Sequence, residues 1–142
     1  MSVIVTDTGF GPDTFEGVAV PLAEVAANGR LPAAVLVAPG DDPAAMAGRL
    51  EGVDMIVAEF PSFADGRGFT HARSLRELGF TGRLRAKGHV IADQYAMARR
   101  SGFDEVEISD ELAARQPEEQ WLARADWQAH DYQARLRASA SA

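Results

Sequence analysis

An acid, an arginine and two glycines, Asp65-Gly66-Arg67-Gly68, interrupt an apolar run and lead into a helix-like stretch, FTHARSLRELG. That combination suits an oxyanion. A guanidinium takes two oxygens side by side. Glycine lets the backbone approach closely or adopt a positive φ, and the amides that open a helix add partial positive charge. The same residues also fit a clamp in which Asp65 pairs with Arg67 only to order the turn. Farther along, Lys87-Gly88-His89 offers an ammonium and an imidazole, with Arg73, Arg85, Asp93 and Gln94 on the segments around it. A neutral histidine beside Asp or Lys serves as a general acid or base, so His89 and Asp65 are the candidate catalytic groups. Gly66, Arg67, Gly68, Arg73, Arg85, Lys87, Asp93 and Gln94 are the candidate ligand contacts.

Other chemistries are excluded by what the chain lacks. It has no cysteine, hence no thiol nucleophile, thiolate zinc site or cysteine-held iron–sulfur cluster. Any redox role places the electrons on a bound organic cofactor, whose identity stays open, or on a partner. No two of the three histidines have metal-ligand spacing, so no metal site is expected; His71 and His130 fall on expected helix surfaces. The Asp-Gly-Arg-Gly string is neither a P-loop nor a dinucleotide fingerprint, and no Gly-x-Ser-x-Gly elbow occurs.

These residues need elements to position them, and strand and helix patterns alternate from residue 33 onward. Residues 33–39 are a continuous apolar run, as a strand covered on both faces is, and residues 55–60, MIVAEF, read as the next strand. Residues 82–88 and 105–108 read as further strands, and the spacing of about 20 to 28 residues is that of successive βα units. Helices are expected over residues 43–50, opened by Asp41-Asp42-Pro43, over 70–78, closed by Gly79, and over 90–101. Near the N-terminus, residues 3–6 and 18–22 read as short strands and 21–29 as a helix capped by Gly29. From Pro117 a helix carries Trp121, Leu122, Ala125, Ala129, Tyr132 and Leu136 at helical spacing. Packing on its own domain is its expected use, with a dimer or partner interface as the alternative that off-stripe Trp127 keeps open. Residues 138–142 read as a frayed tail.

Residues two apart on a strand point the same way. Arg83, Arg85 and Lys87 therefore share a face, as do Glu105 and Glu107, and a basic row beside an acidic row favours cross-strand ion pairs. A single α/β domain follows, with a mainly parallel four- to five-stranded sheet and a C-terminal helix. Helices on one face, as in part of a β/α barrel, fit best; a doubly wound sheet is the alternative. Either way, ligands gather at the C-terminal ends of the strands. That rim collects residues 39–42, 65–68, 87–89 and 109–110.

The net charge of −7 is uneven: residues 67–100 carry +6 and the remainder −13. Such asymmetry suits an anionic ligand or an acidic partner, or equally a basic half paired with an acidic half. Nucleic acid is disfavoured, because the acidic remainder repels a long polyanion. No apolar run approaches the ~20 residues of a membrane helix, and the first residues lack the pattern of a signal peptide. A cytoplasmic protein is the expectation.

The run DGRGFTHARSLRELGFTGRLRAKGHVIADQYAMARRSGFDEVEI resembles the core of the bacterial domain-of-unknown-function family 934, most strongly over residues 57–108. The matching elements are Phe63, residues 65–68, Ala72-Arg73, residues 85–88, Asp93-Gln94 and Gly102-Phe103-Asp104. One position departs: the family's usual Gly-Asp-Val is Gly88-His89-Val90 here, which makes a helix cap the simpler role for that position. The family is commonly labelled an oxidoreductase probably involved in sulfite reduction. The resemblance thus implies an accessory or oxidoreductase-associated protein of assimilatory sulfite reduction, with sulfite reductase or another acidic redox partner. A small barrel-like enzyme acting on an oxyanion-bearing metabolite and a structural partner subunit, with a homodimer as one form of it, are the alternative readings.

Overall fold

The apolar runs form the strands of one sheet in the computed structural model, which describes residues 2–128. The strands are β1 (Ser2–Thr6), β2 (Gly9–Gly11), β3 (Val20–Pro21), β4 (Ala34–Val37), β5 (Met55–Phe60), β6 (Arg83–Gly88) and β7 (Glu105–Ser109). Four α-helices follow the later strands: α1 (Arg67–Glu77), α2 (Tyr95–Ser101), α3 (Asp110–Arg115) and α4 (Glu118–Leu122). The spatial order is β2-β1-β7-β6-β5-β4-β3. Strands β3 to β7 run parallel in sequence order, whereas β1 is antiparallel to β7 and β2 to β1. The N-terminal hairpin thus doubles back beside the last parallel strand, which extends the expected four- to five-stranded sheet to seven.

Neighbours added always on the same side require crossovers of one hand, and right-handed crossovers then put every helix on one face. The core agrees. Val35, Ile56, Leu84 and Val106 from the strands meet Leu75 of α1, Tyr95 of α2, Leu112 of α3 and Trp121 of α4 in one buried cluster. A doubly wound sheet would need helices on the other face as well, and there is none there among the described residues. The arrangement is that of part of a β/α barrel.

The second face carries the charged rows. Arg85 lies opposite Glu105 and Lys87 opposite Glu107 in the β6–β7 register. Residues 12–19, between β2 and β3, cross this face as a strap. Phe15 and Ala19 seat it on Ala34, Leu36, Met55 and Val57, a small second apolar cluster. Asp13 and Thr14 bond Arg85 and Arg83.

Four expected helices are shorter than their patterns; the one expected over residues 90–101 starts as a helix only at Tyr95, after a 3-10 turn at Ala92–Gln94. Residues 21–29 hold only a 3-10 turn at Leu22–Glu24, after which Val25 is extended. Leu22 and Val25 are only partly buried, too little packing to stabilise so short a helix. Residues 43–50 likewise reduce to a 3-10 turn at Pro43–Met46, with Asp42 accepting from the Ala44 amide as its cap. The C-terminal helix starts where expected, with Pro117 as its N-cap, but ends at Leu122. Trp121 is buried there, its ring edge-on to Tyr95 at 6.1 Å and its indole N–H donating to the Gln116 carbonyl. Glu118 turns back to accept from the Phe10 amide at 2.7 Å, closing part of the β2 edge. Ala129, His130, Tyr132, Leu136 and the tail at 138–142 lie outside the described residues.

Candidate functional site

The turn after β5 delivers Asp65 to the opening of α1. Its Oδ1 accepts from the Arg67 backbone N–H at 3.2 Å and from Nε at 3.0 Å, and Oδ2 accepts from Nη2 at 2.7 Å. The anion at this helix start is therefore Asp65 itself. Its hydrogen bonds from the Arg67 side chain, then from the Arg67 amide, lower the carboxyl to about 2. The clamp reading describes the loop's internal geometry, and it leaves the outer edge of the guanidinium in solvent. Neither loop glycine has a positive φ: Gly66 has φ −88°. Gly68 serves packing instead, because a Cβ there would collide with the Phe60 ring.

Strand β6 ends in Lys87-Gly88, and Gly88 has φ 121°. The turn at Gly88 brings the His89 amide onto the Phe60 carbonyl at 2.8 Å. His89 does not cap a helix, as its place in the sequence suggested. The next turn is a 3-10 turn at Ala92–Gln94 whose cap is supplied by Gln94, with Oε1 accepting from the Ile91 amide at 3.0 Å. Gln94 also donates to the Phe63 carbonyl at 3.0 Å. The exposed His89 ring stands edge-on to Phe63, centroids 5.2 Å apart. An aromatic pair at the surface, fastened by Gln94, is the result.

Two shallow cavities of about 250 Å³ each flank the end of β6, and Lys87 and Gly88 line both. Glu59, Phe60, Pro61 and His89 complete one; Ser2, Glu107, Ile108 and Ser109 complete the other. Lys87 lies opposite Glu59 in register on β5, and its Nζ is 4.0 Å from Glu107. A larger open hollow of about 610 Å³ lies at the other end of the strands. It is bordered by glycines and by Arg49, whose guanidinium is committed to the carbonyls of Ala26, Gly29 and Ala45, and it offers little directed chemistry.

The remaining expected contacts are dispersed. Arg85 is buried and turned into the polar sheet face. Its Nε donates to Glu105 at 2.5 Å, Nη1 to Glu107 and Asp13 at 3.0 Å each, and Nη2 to Asp13 at 2.8 Å. Asp93 pairs with Arg124 at the surface. Arg73 is exposed on α1, about 9 Å along the axis from Arg67. Of the eight basic residues in segment 67–100, six pair with carboxylates among the described residues: Arg67, Arg76, Arg83, Arg85, Lys87 and Arg99. Internal pairing accounts for most of the charge asymmetry.

Two groups escaped the sequence reading. Asp13, on a strap with no periodic pattern, forms the side-by-side pair with Arg85. Asp7 gathers the Tyr95 hydroxyl at 2.5 Å, the Arg99 guanidinium and the Trp127 indole N–H, and Arg99 stacks on Trp127 at 4.7 Å. Burial pushes Asp7 up, but the bonds from Tyr95, Arg99 and Trp127 outweigh it and hold the carboxyl below its ordinary value. Trp127 thus packs on its own chain. Nothing in the spacing of Asp7 and Asp13 announces these partners, which are 72 to 120 residues away.

The Arg85 hydrogen bonds are the main reason that Asp13 falls from 3.8 to about 2, against an opposing desolvation effect. A carboxyl lowered in the folded state stabilises it above the unfolded value, and that contribution disappears as pH falls through the folded value. The strap should stay tied above pH 4 and be released on acidification toward pH 2. Carbon-detected NMR of the Asp13 carboxyl should give a midpoint near 2; a midpoint at 3.8 would mean that the strap is not tied in solution.

The family described as "Bacterial protein of unknown function (DUF934)" matches residues 34–142. The chain belongs to this family. The match begins at β4 and takes in every element from the parallel run onward except β3, a wider span than the 57–108 core of the resemblance. No curated protein and no solved structure matches the chain. Several elements of the family motif have structural work in this fold: Gly68 packs on Phe60, Ala72 and Phe103 are buried, and Asp104 accepts from the Leu84 amide and from Arg76. Among the described residues, no helix is long and apolar enough to cross a membrane.

Proposed function

We propose that this chain is a cytoplasmic accessory protein of assimilatory sulfite reduction. Its rim, formed by the Asp65–Gly68 loop, Phe63, His89 and Lys87, docks on an acidic surface of a redox enzyme, with sulfite reductase as the first partner to test. The place in sulfur metabolism comes from the label attached to the family. The docking chemistry rests on one observation: the rim's ion pairs turn their cations outward. The side chain of Arg67 is 61% exposed and that of Asp65 15%; Lys87 is 53% exposed and Glu107 13%. A partner therefore meets a guanidinium and an ammonium group around an exposed aromatic pair, of which the arginine and the phenylalanine are residue types enriched at interfaces. Asp65 fixes the Arg67 guanidinium in place, which lowers the ordering cost on binding. The outer edge of Arg67 can equally take one oxygen pair of a small anion.

The enzymatic alternative has less support. With Arg67 bonded to it, Asp65 is ionised across the working pH range and is a weak base, far from the poise of an efficient acid–base group. The test is direct binding to purified sulfite reductase, followed by titration with salt. Phe63→Ala and Arg67→Ala should each weaken the complex at least tenfold and leave the melting temperature within about 2 °C, because both side chains face solvent. Affinity should fall steeply with ionic strength. Absence of binding by the wild-type protein, or affinity indifferent to both substitutions, would refute the docking role.

A further inference from the structure

Arg85 is matched to three carboxylates, but they are not equivalent. Glu105 and Glu107 come from the adjacent strand β7 and are well buried, at 7% and 13% side-chain exposure. Asp13 comes from the strap and is 39% exposed. Its two oxygens lie along the Nη1–Nη2 edge at 3.0 and 2.8 Å, the side-by-side geometry in which a guanidinium takes any carboxylate. Beneath the strap, and directly adjoining this pair, lies a cavity of about 190 Å³. Arg85, Lys87 and Glu107 stand with Asp13 at its polar end; Leu36, Met55 and Val57 form the sheet wall, and Phe15 and residues 17–19 of the strap close the other side. That volume is below the range of drug-sized ligands. An anion head beside a short apolar wall is the shape left by this lining.

We propose that the polar face of the sheet is a binding site for a small organic carboxylate with a short alkyl chain, and that Asp13 occupies its anion subsite in the unliganded protein. The ligand head replaces the Asp13 carboxylate on the Nη1–Nη2 edge of Arg85, and its alkyl chain lies against Leu36, Met55 and Val57. The exchange conserves charge: one carboxylate leaves Arg85 as another arrives, so no buried ion is left unpaired. The strap can yield because its hold is limited to Phe15 and Ala19 in the small apolar cluster and to the Asp13 and Thr14 bonds. Val18, at 86% exposure, contributes nothing to it. This site lies on the sheet face under the strap; it shares Lys87 with the rim described above but not the Asp65–Gly68 loop, Phe63 or His89.

Removing the internal competitor tests the idea. In Asp13→Ala, butyrate should raise the melting temperature more than acetate does, and sodium chloride at equal ionic strength should do neither. Apparent affinity for butyrate should be at least tenfold higher than in the wild type, where Asp13 competes. Asp13→Asn, which keeps the bulk and loses the charge, should respond in the same direction. Folded variants that ignore both carboxylates, or a wild-type response equal to that of the variants, would overturn the site. Should neither variant fold, butyrate titrated into the wild-type protein should shift the Arg85 Nε–H and residue 13–19 amide resonances together. Unmoved resonances at saturating butyrate would equally refute it.

Discussion

Arg85→Met should destabilise the protein by about 3 to 5 kcal/mol, the loss expected when one member of a buried ion network is removed. Methionine fits the volume and adds no charge, so the effect isolates the guanidinium. Without it, Glu105 keeps only the Arg83 bond at 2.7 Å, and Glu107 keeps only Lys87 at 4.0 Å. Both carboxylates then remain in a face designed around a cation. Domains of this kind are held by about 5 to 15 kcal/mol in total, so chemical denaturation should show the midpoint moving far down, with a fall in melting temperature of roughly 10 °C. Arg85→Lys should fall between, since one ammonium cannot bridge three carboxylates in the plane that the fork provides. The double variant Arg85→Met/Glu105→Met should recover part of the loss, because one of the two stranded carboxylates is removed with its partner. A single-variant loss below about 1 kcal/mol would mean that the network is solvated in solution and contributes little.

That network was half legible in the sequence. Period-two alternation in residues 83–87 and 105–108 announced facing rows of opposite charge, because strand geometry leaves no other arrangement once the strands are neighbours. The parallel strands were readable for the same reason, since apolar runs at βα spacing have few compact solutions, but their order across the sheet was not, because either a one-sided or a doubly wound arrangement satisfies that spacing. Asp13 was not legible. It sits in PDTFEGVA, a stretch with neither helical nor strand period, and its partner Arg85 is 72 residues away. The helix at 21–29 was misread because residue types there favour a helix while tertiary packing gives it almost nothing to bury. The Asp65–Gly68 loop was located correctly at the end of β5, but its glycines were assigned to ligand approach when one of them is needed by a neighbouring ring. Local sequence shows that a glycine is required; it does not show against what.

The two kinds of glycine should separate cleanly under mutation. Gly88→Ala places a Cβ 2.5 Å from the Phe60 carbonyl oxygen at a backbone φ of 121°. That oxygen cannot retreat, because the His89 amide is bonded to it at 2.8 Å. Both the strained dihedral and the backbone overlap must be relieved, for a cost of about 3 kcal/mol or more. Gly68→Ala drives its methyl into the Phe60 ring, which is itself fixed between Phe69 at 4.9 Å and Phe103 at 5.8 Å. Overpacking of that kind costs about 1 to 3 kcal/mol. Gly66→Ala meets only Phe69 at 3.9 Å, at an ordinary φ, and should cost under about 1 kcal/mol, the size of an N-cap preference. Urea denaturation of the three variants should therefore rank Gly88 first, Gly68 second and Gly66 a distant third. If Gly66→Ala proved the most damaging, the loop would be held by a backbone conformation different from the one described. If instead it leaves stability intact but weakens partner binding, Gly66 is the glycine kept for close approach at the rim, and the pair in Asp-Gly-Arg-Gly divides into one residue for packing and one for contact.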